Sequence, residues 1–477
     1  MVQVLVILAF FAARMQDVLG TTTHTATPSW WGPSLPFLTL LIMWLAFHAF
    51  TRHAGAAIDR SGTLAPLGRA HALMATVRIS VLLVLFACVL WPAMDWAGRV
   101  RSTMGDVVLL DEVVIASPVL LMLVLTWWSI EPLERRMHEA TIFRSLASGA
   151  TLHQPESRPQ WVWTQVRHQV LLVLVPICLV LAWSEAIDLL PRWFAIDPAS
   201  WWMELLHLAG IALVLFLTPL LLRFIWSTQQ LGDGALRDQI LATCRTYRVR
   251  VVGPLVWRTR GSLINAAILG VFFPFRYLLL TDALLERLPR DQLEVVLAHE
   301  VAHVRRRHMI WTAVAVFATV TGTALLVALA YQLLRLPTVL EPAVSLAAAI
   351  ASVAVGFTVF GFISRRFEWD ADAFAAAHLA RVTSDGSATV ITDAAVASTV
   401  ATLQSVADLN GMPTGRFSFR HGSIADRQKR VMQLLGLSID RLPIARQVAW
   451  IKLVALALLV LSLLPLIAGL WLERNTP

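Results

Sequence analysis

The chain has 477 residues, of which 57% are hydrophobic and 15% charged, with a formal net charge of +8 and a mean hydropathy of +0.67. Runs of about 18 or more apolar residues signal spanning helices, so this composition excludes an ordinary soluble enzyme and predicts a polytopic membrane protein. The positive excess is nearly all arginine, spread between apolar runs rather than on a basic face with stacking aromatics, which argues for topology signals and against nucleic-acid binding.

In chain order, Val2 to Ala13 is apolar but short for a span; with no basic residues ahead of it, a ninth span is favoured over a signal peptide. Further spans are predicted at 36–50, 79–97, 113–130, 169–186, 204–226, 309–335, 343–363 and 449–471. The segment 51–78 carries Arg52, Arg60, Arg69 and Arg78, and 131–168 carries Arg135, Arg136, Arg144, Arg158 and Arg167. The intervening segments 98–112 and 187–203 hold fewer arginines, mixed with acids. By the positive-inside rule the richer segments are cytoplasmic, which also puts 227–308 and 364–447 inside. Trp30, Trp31, Trp91, Trp127, Trp128, Trp201, Trp202, Trp226 and Trp450 mark segment ends, as an interfacial belt would. Cys88, Cys178 and Cys244 form neither a C-x-x-C pair nor an even-numbered framework, which excludes a disulfide scaffold and a cysteine-rich zinc site.

The two polar blocks bracket a pair of spans and together reach the size of one domain. The organisation predicted is a multi-span region (1–226), the first half of a lobe (227–308), a transmembrane hairpin (309–363), the second half of the lobe (364–447) and a last transmembrane helix (448–477).

The first half of the lobe ends in LAHEVAHVRRRH, Leu297 to His308. His299, Glu300 and His303 form H-E-x-x-H. Residues i and i+4 share a helix face, so both imidazoles reach one metal. Glu300 can take a proton from metal-bound water and pass it to a leaving amine. A helix is predicted because Pro289 suits a first turn, Asp291 and Glu294 favour an N-terminal end, and Leu293, Val296 and Leu297 make an apolar stripe. Arg306 and Met309 stand where an extended motif would carry Gly and His, so the third ligand a catalytic zinc needs is not there. His308 falls off the ligand face and reads as a solvated juxtamembrane residue.

Beyond the hairpin, SRRFEWDADAFAAAHLAR puts Glu368 and Asp372 at i and i+4 on a helix. Either Glu368 is the third ligand, with Asp372 orienting a ligand histidine through its other ring nitrogen, or the two form an acidic patch paired with Arg365 and Arg366. The H-E-x-x-H at the membrane end of the facing helix favours the ligand. Tyr277 to Thr281 (YLLLT) reads as a strand, and an edge strand there pairs with an extended substrate by backbone hydrogen bonds.

HEVAH at 299–303, two spans, and EWDAD at 368–372 resemble the integral-membrane zinc metalloproteases that include the CAAX prenyl endopeptidases and the HtpX heat-shock proteases. INAAILG (264–270) and RHGSIADR (420–427) match further patches of that family, with Gly422 where the family has proline. The resemblance covers roughly 230–440. It implies that Asn265 and Ala266 lie beside the substrate backbone, and that His421 and Arg427 stabilise the tetrahedral oxyanion.

The fold class expected is mainly α: a polytopic membrane protein of about 8–9 transmembrane helices, with a cytoplasmic zincin-like α+β protease lobe interrupted by the hairpin. The activity expected is a zinc-dependent endopeptidase with one Zn2+ per chain, cleaving a membrane-associated or lipidated protein or peptide, with no nucleic-acid partner. The metal ligands are His299, His303 and Glu368; the catalytic residues are Glu300, His421 and Arg427. The alternatives are a signal-transducing protease that cleaves one cytoplasmic regulator, and a transporter with an accidental H-E-x-x-H. The transporter predicts ionisable residues inside the spans, and few are visible: Glu185 and Asp188 lie near one span end, Glu204 and His207 near another. Arginine in place of lysine points to a bacterial genome, hence an inner-membrane location with the site facing the cytoplasm.

Overall fold

The structure is a computed structural model that describes residues 2–19, 34–63, 65–90, 96–104, 109–147, 156–194, 197, 200–260 and 263–475. The chain divides into two compact units, Met1–Ser227 and Thr228–Pro477.

The first unit is all helix: α1 (Val2–Leu19), α2 (Leu35–Ser61), α3 (Ala65–Leu90), α4 (Trp96–Met104), α5 (Leu110–Ala147), α6 (Arg158–Gln165), α7 (Leu172–Phe194) and α8 (Trp201–Ile225), with a π-helical turn at Val166–Leu171 between α6 and α7. Leu5, Val6, Ala9 and Phe10 of α1 are buried in one apolar cluster with residues of α2, α3 and α5. Arg78 does not lie in a connecting segment, because α3 starts earlier than the hydropathy suggests. Only 3% of Arg78 is exposed. Its Nε donates to Thr126 Oγ1 at 2.9 Å, and its guanidinium lies 5.0 Å from the Trp127 ring centroid. Trp127 is therefore a buried partner rather than part of an interfacial belt; Trp30, Trp31 and Trp91 lie outside the described residues.

The second unit holds β1 (Thr228–Gln230), α9 (Ala235–Thr246), β2 (Pro254–Trp257), β3 (Ala266–Leu269), β4 (Tyr277–Thr281), α10 (Asp282–Arg287), α11 (Arg290–Arg305), α12 (His308–Leu333), α13 (Glu341–Thr383), α14 (Asp393–Leu409), α15 (Ile424–Met432) and α16 (Pro443–Asn475). Among the described residues eight helical segments are long and apolar enough to cross a membrane. Each overlaps one of the eight predicted longer spans, and three of them, on α12, α13 and α16, belong to this unit. The apolar stretch of α1, Val2–Ala13, is shorter than these. The protein is thus mainly helical and multi-pass, and the described residues form one small sheet.

The strand order is β1-β2-β4-β3, with β2 parallel to β4 and the other pairs antiparallel. YLLLT is therefore β4, an interior strand with all five residues buried. The edge beside the helices is β3. Apolar content alone cannot tell an interior strand from an edge, because both present runs of this kind.

Candidate metal centre

Helix α11 carries the two histidines. Its Leu293, Leu297 and Val301 recur at i, i+4 and i+8 and are buried against the sheet and α9. That anchoring turns His299, Glu300 and His303 toward α13 and β3. The glutamate arrives differently. α13 is one unbroken helix of 43 residues that runs from the membrane into the lobe, so Glu368 and Asp372 ride on a rigid continuation of a span.

His299 Nε2 and His303 Nε2 are 3.2 Å apart. Glu368 Oε2 is 3.6 Å from the first, and Glu368 Oε1 is 3.7 Å from the second. Zinc bonds of about 2.0–2.2 Å at tetrahedral angles separate neighbouring donors by about 3.4 Å. The three residues thus present two imidazole nitrogens and a carboxylate at zinc spacing, and this donor set fits the metal.

The surroundings hold each donor. Asp372 Oδ1 lies 3.0 Å from His299 Nδ1. Arg427 on α15 clamps Asp372 with two bonds, Nε to Oδ2 at 2.8 Å and Nη2 to Oδ1 at 2.6 Å. Its Nη1 stands 3.3 Å from Glu368 Oε2. Arg365 and Arg366 take no part: Arg365 donates to the Phe419 carbonyl, and Arg366 lies over Phe362 and Trp369.

Charge follows from this packing. Burial works against a proton on His299, but the Asp372 and Glu368 carboxylates overcome it and raise its pKa to about 10. Burial and the neighbouring His299 charge push His303 down to about 3. The point between the donors therefore favours one positive charge, a proton or a metal ion. Burial pushes the Glu300 carboxyl up to about 7, with the His299 charge opposing it. A base near neutrality is suited to proton transfer in both directions. Burial disfavours the charge on Arg427, yet the Asp372 and Glu368 carboxylates win and raise its pKa.

Ile268 N–H donates to Glu300 Oε2 at 3.3 Å. The sheet alternation explains why that N–H is not taken up by β4. Thr281 N–H donates to the Asn265 carbonyl, so Asn265 and Ala267 bond to β4, and Ala266 and Ile268 turn their backbone groups outward. Ala266 opens this edge and Asn265 is exposed beside it. His421 Nδ1 lies 3.0 Å from Glu368 Oε1, with its side chain half exposed. Gly422 has φ +74° and exchanges both backbone bonds with Ser418. Proline can adopt neither that angle nor the donor role, so the turn beside His421 is built differently from a histidine-proline-serine turn.

His308 is not solvated: 2% of it is exposed. Helical spacing misplaces it because the helix does not continue. Arg307 takes φ +58°, α11 ends and α12 begins on a new axis, and His308 swings back behind His303. Its Nδ1 is 3.1 Å from His303 Nδ1, and its Nε2 is 3.0 Å from Asp370 Oδ2. Glu294 and His378 also meet unforeseen, His378 Nε2 lying 2.8 Å from Glu294 Oε1, with Tyr247 at the other ring nitrogen, 2.8 Å away. Only the acid at helical spacing from Glu368 was visible beforehand; Asp370 and the Glu294–His378 pair depend on tertiary contacts.

A helix with H-E-x-x-H, a glutamate from a second helix and a set of membrane-spanning segments define a membrane metallopeptidase. Residues 254–427, from β2 to Arg427, match the model of Peptidase family M48, and the apolar helices make the protein an integral, multi-pass membrane protein. The crystal structure of S. mikatae Ste24p is similar to 85% of this chain over 100% of its own length, at 14% identity and a TM-score of 0.48. No curated protein matches the chain.

Proposed function

We propose that the protein is a zinc endopeptidase that hydrolyses peptide bonds of membrane-associated or lipidated proteins at the cytoplasmic face of the membrane. The convergence of His299, His303 and Glu368, with Glu300 between them and an open strand edge, carries this reading. M48 peptidases are zinc metalloproteases, which supports zinc as the ion. When bound, the metal supplies a Lewis acid that polarises the scissile carbonyl and makes water easier to deprotonate.

The chain's own residues do the rest. The outward backbone groups of Ala266, beside Asn265, and the outward carbonyl of Ile268 bind an extended peptide as an added strand. Glu300 takes one proton from the attacking water and returns it to the amine that leaves when the C–N bond breaks. His421 donates to the carbonyl oxygen as it gains charge. Asp372 fixes the His299 tautomer and Arg427 keeps Asp372 and Glu368 ionised. Because α12 and α13 enter the bilayer within a few turns of these residues, substrates already held at the membrane meet the site at high local concentration.

The test is metal analysis of the purified full chain together with peptide hydrolysis. Wild type carries one zinc per chain. Glu300→Gln keeps the zinc and loses roughly 10²–10⁴-fold in rate, whereas Glu368→Ala loses the zinc. Undiminished hydrolysis by Glu300→Gln sinks the mechanism, and full zinc retention by Glu368→Ala sinks the ligand assignment.

A further inference from the structure

We infer that His308 and Asp370 form a buried relay that orients the ligand His303 and sets the zinc affinity of the centre. The inference deepens the zinc-site reading and rests on it. An imidazole that offers Nε2 to a metal carries its proton on Nδ1, and that proton needs an acceptor. His299 has a direct one in Asp372, at 3.0 Å. His303 has none among the carboxylates; its Nδ1 faces His308 Nδ1 at 3.1 Å.

Two rings that meet nitrogen to nitrogen need one donor and one acceptor. Asp370 decides which is which. Its carboxylate, 3.0 Å from His308 Nε2, accepts only, so the His308 proton belongs on Nε2. His308 Nδ1 is then a bare lone pair, and the hydrogen between the rings must come from His303 Nδ1. That leaves His303 Nε2 unprotonated and aimed at the metal point. The acids Asp370 and Asp372, two residues apart on α13, thus fix both ligand tautomers, one through a ring and one directly.

Water cannot stand in for either relay group, since His308 and Asp370 are each 2% exposed. The His308 ring is locked by stacking on Phe367, with centroids 4.3 Å apart and planes 6° from parallel. Asp370 has cationic company in Arg306, whose Nε is 3.9 Å away. Lys452 of α16 holds the Arg306 carbonyl at 2.9 Å, which ties the last span to the end of the metal-binding helix. His308 is not itself a ligand, because it meets His303 on the nitrogen that points away from Glu368.

The test is zinc affinity of the full chain in detergent by chelator competition, with the visible spectrum of the cobalt-substituted protein and a thermal midpoint for every variant. Asp370→Ala and His308→Leu are expected to weaken zinc about 10–100-fold and to alter the cobalt spectrum. Combining them adds little, since either one breaks the same chain. His308→Gln, whose amide both accepts and donates, recovers part of the affinity. His378→Gln, in the buried pair with Glu294, lowers the midpoint and leaves zinc affinity alone. Wild-type zinc affinity in folded Asp370→Ala overturns the relay, even where His308→Leu fails to fold. A wild-type chain that binds no zinc overturns the zinc-site reading itself, a result distinct from failure of the relay alone.

Discussion

Arg427 decides the charge balance at the centre. Two carboxylates one helical turn apart, Glu368 at 6% exposure and Asp372 at 4%, share this one guanidinium within bonding reach. Removing one partner of a buried ion pair costs about 3–5 kcal/mol, because the charge left behind has lost its solvent and its partner. Arg427→Met should therefore lower the thermal midpoint sharply, and excess zinc should restore part of the loss, since an ion that binds only the folded chain stabilises it. An unchanged midpoint would show that the acids do not need the arginine. The residues legible beforehand share a property: His299, His303, Glu368 and Asp372 obey helical spacing, which is local. His308 and Asp370 were opaque because each depends on a departure from it. His308 needs the left-handed turn at Arg307, and Asp370 sits about 200° around α13 from Glu368, where a helical wheel assigns it to the other side. Glu294 looked like an ordinary acid in a first turn; its partner His378 is 84 residues away.

At the scale of elements, the spans were readable because hydrophobic length is a composition property, whereas strand order was not. β4 is the more apolar strand and lies inside the sheet; β3, with two alanines, is the edge. The alternation along β3 makes neighbouring alanines unequal. Ala266 opens the strand with its N–H outward, a place where proline is tolerated. Ala267 bonds into β4, where proline removes a ladder bond and breaks the pairing. Ala266→Pro should keep a near-native midpoint while kcat/KM for extended peptides falls about tenfold, the worth of one hydrogen bond. Ala267→Pro should lower the midpoint itself. Equal midpoints with equal kcat/KM for the pair would remove β3 from substrate binding. The same reasoning applies to Gly356 in α13, where an added Cβ would come within 2.7 Å of Val320 on α12. Gly356→Leu should wedge the hairpin apart and destabilise it by about 1–3 kcal/mol, the cost of overpacking, read as a lower midpoint in detergent.

At the scale of the whole molecule, the hairpin geometry links chemistry to orientation. α12 leaves the candidate metal centre at His308 and α13 returns to it at Glu368, so the connection at 334–340 lies at the far end of both helices. The near end carries Arg305, Arg306, Arg307, Arg365 and Arg366, while Arg335 stands at the far end beside the acid Glu341. Withdrawing Arg78 from the count of loop arginines does not alter that asymmetry, because it is buried in the first unit. The positive-inside rule then predicts that the metal centre faces the cytoplasm. Single cysteines at Ser387 and Thr338, in a chain whose Cys88, Cys178 and Cys244 are replaced, separate the two ends. An impermeant maleimide should label Ser387→Cys in inside-out vesicles only and Thr338→Cys in right-side-out vesicles only. The reverse pattern would put the centre outside and with it the substrates. Labelling of both from one side would mean that α12 and α13 do not cross the bilayer as a hairpin.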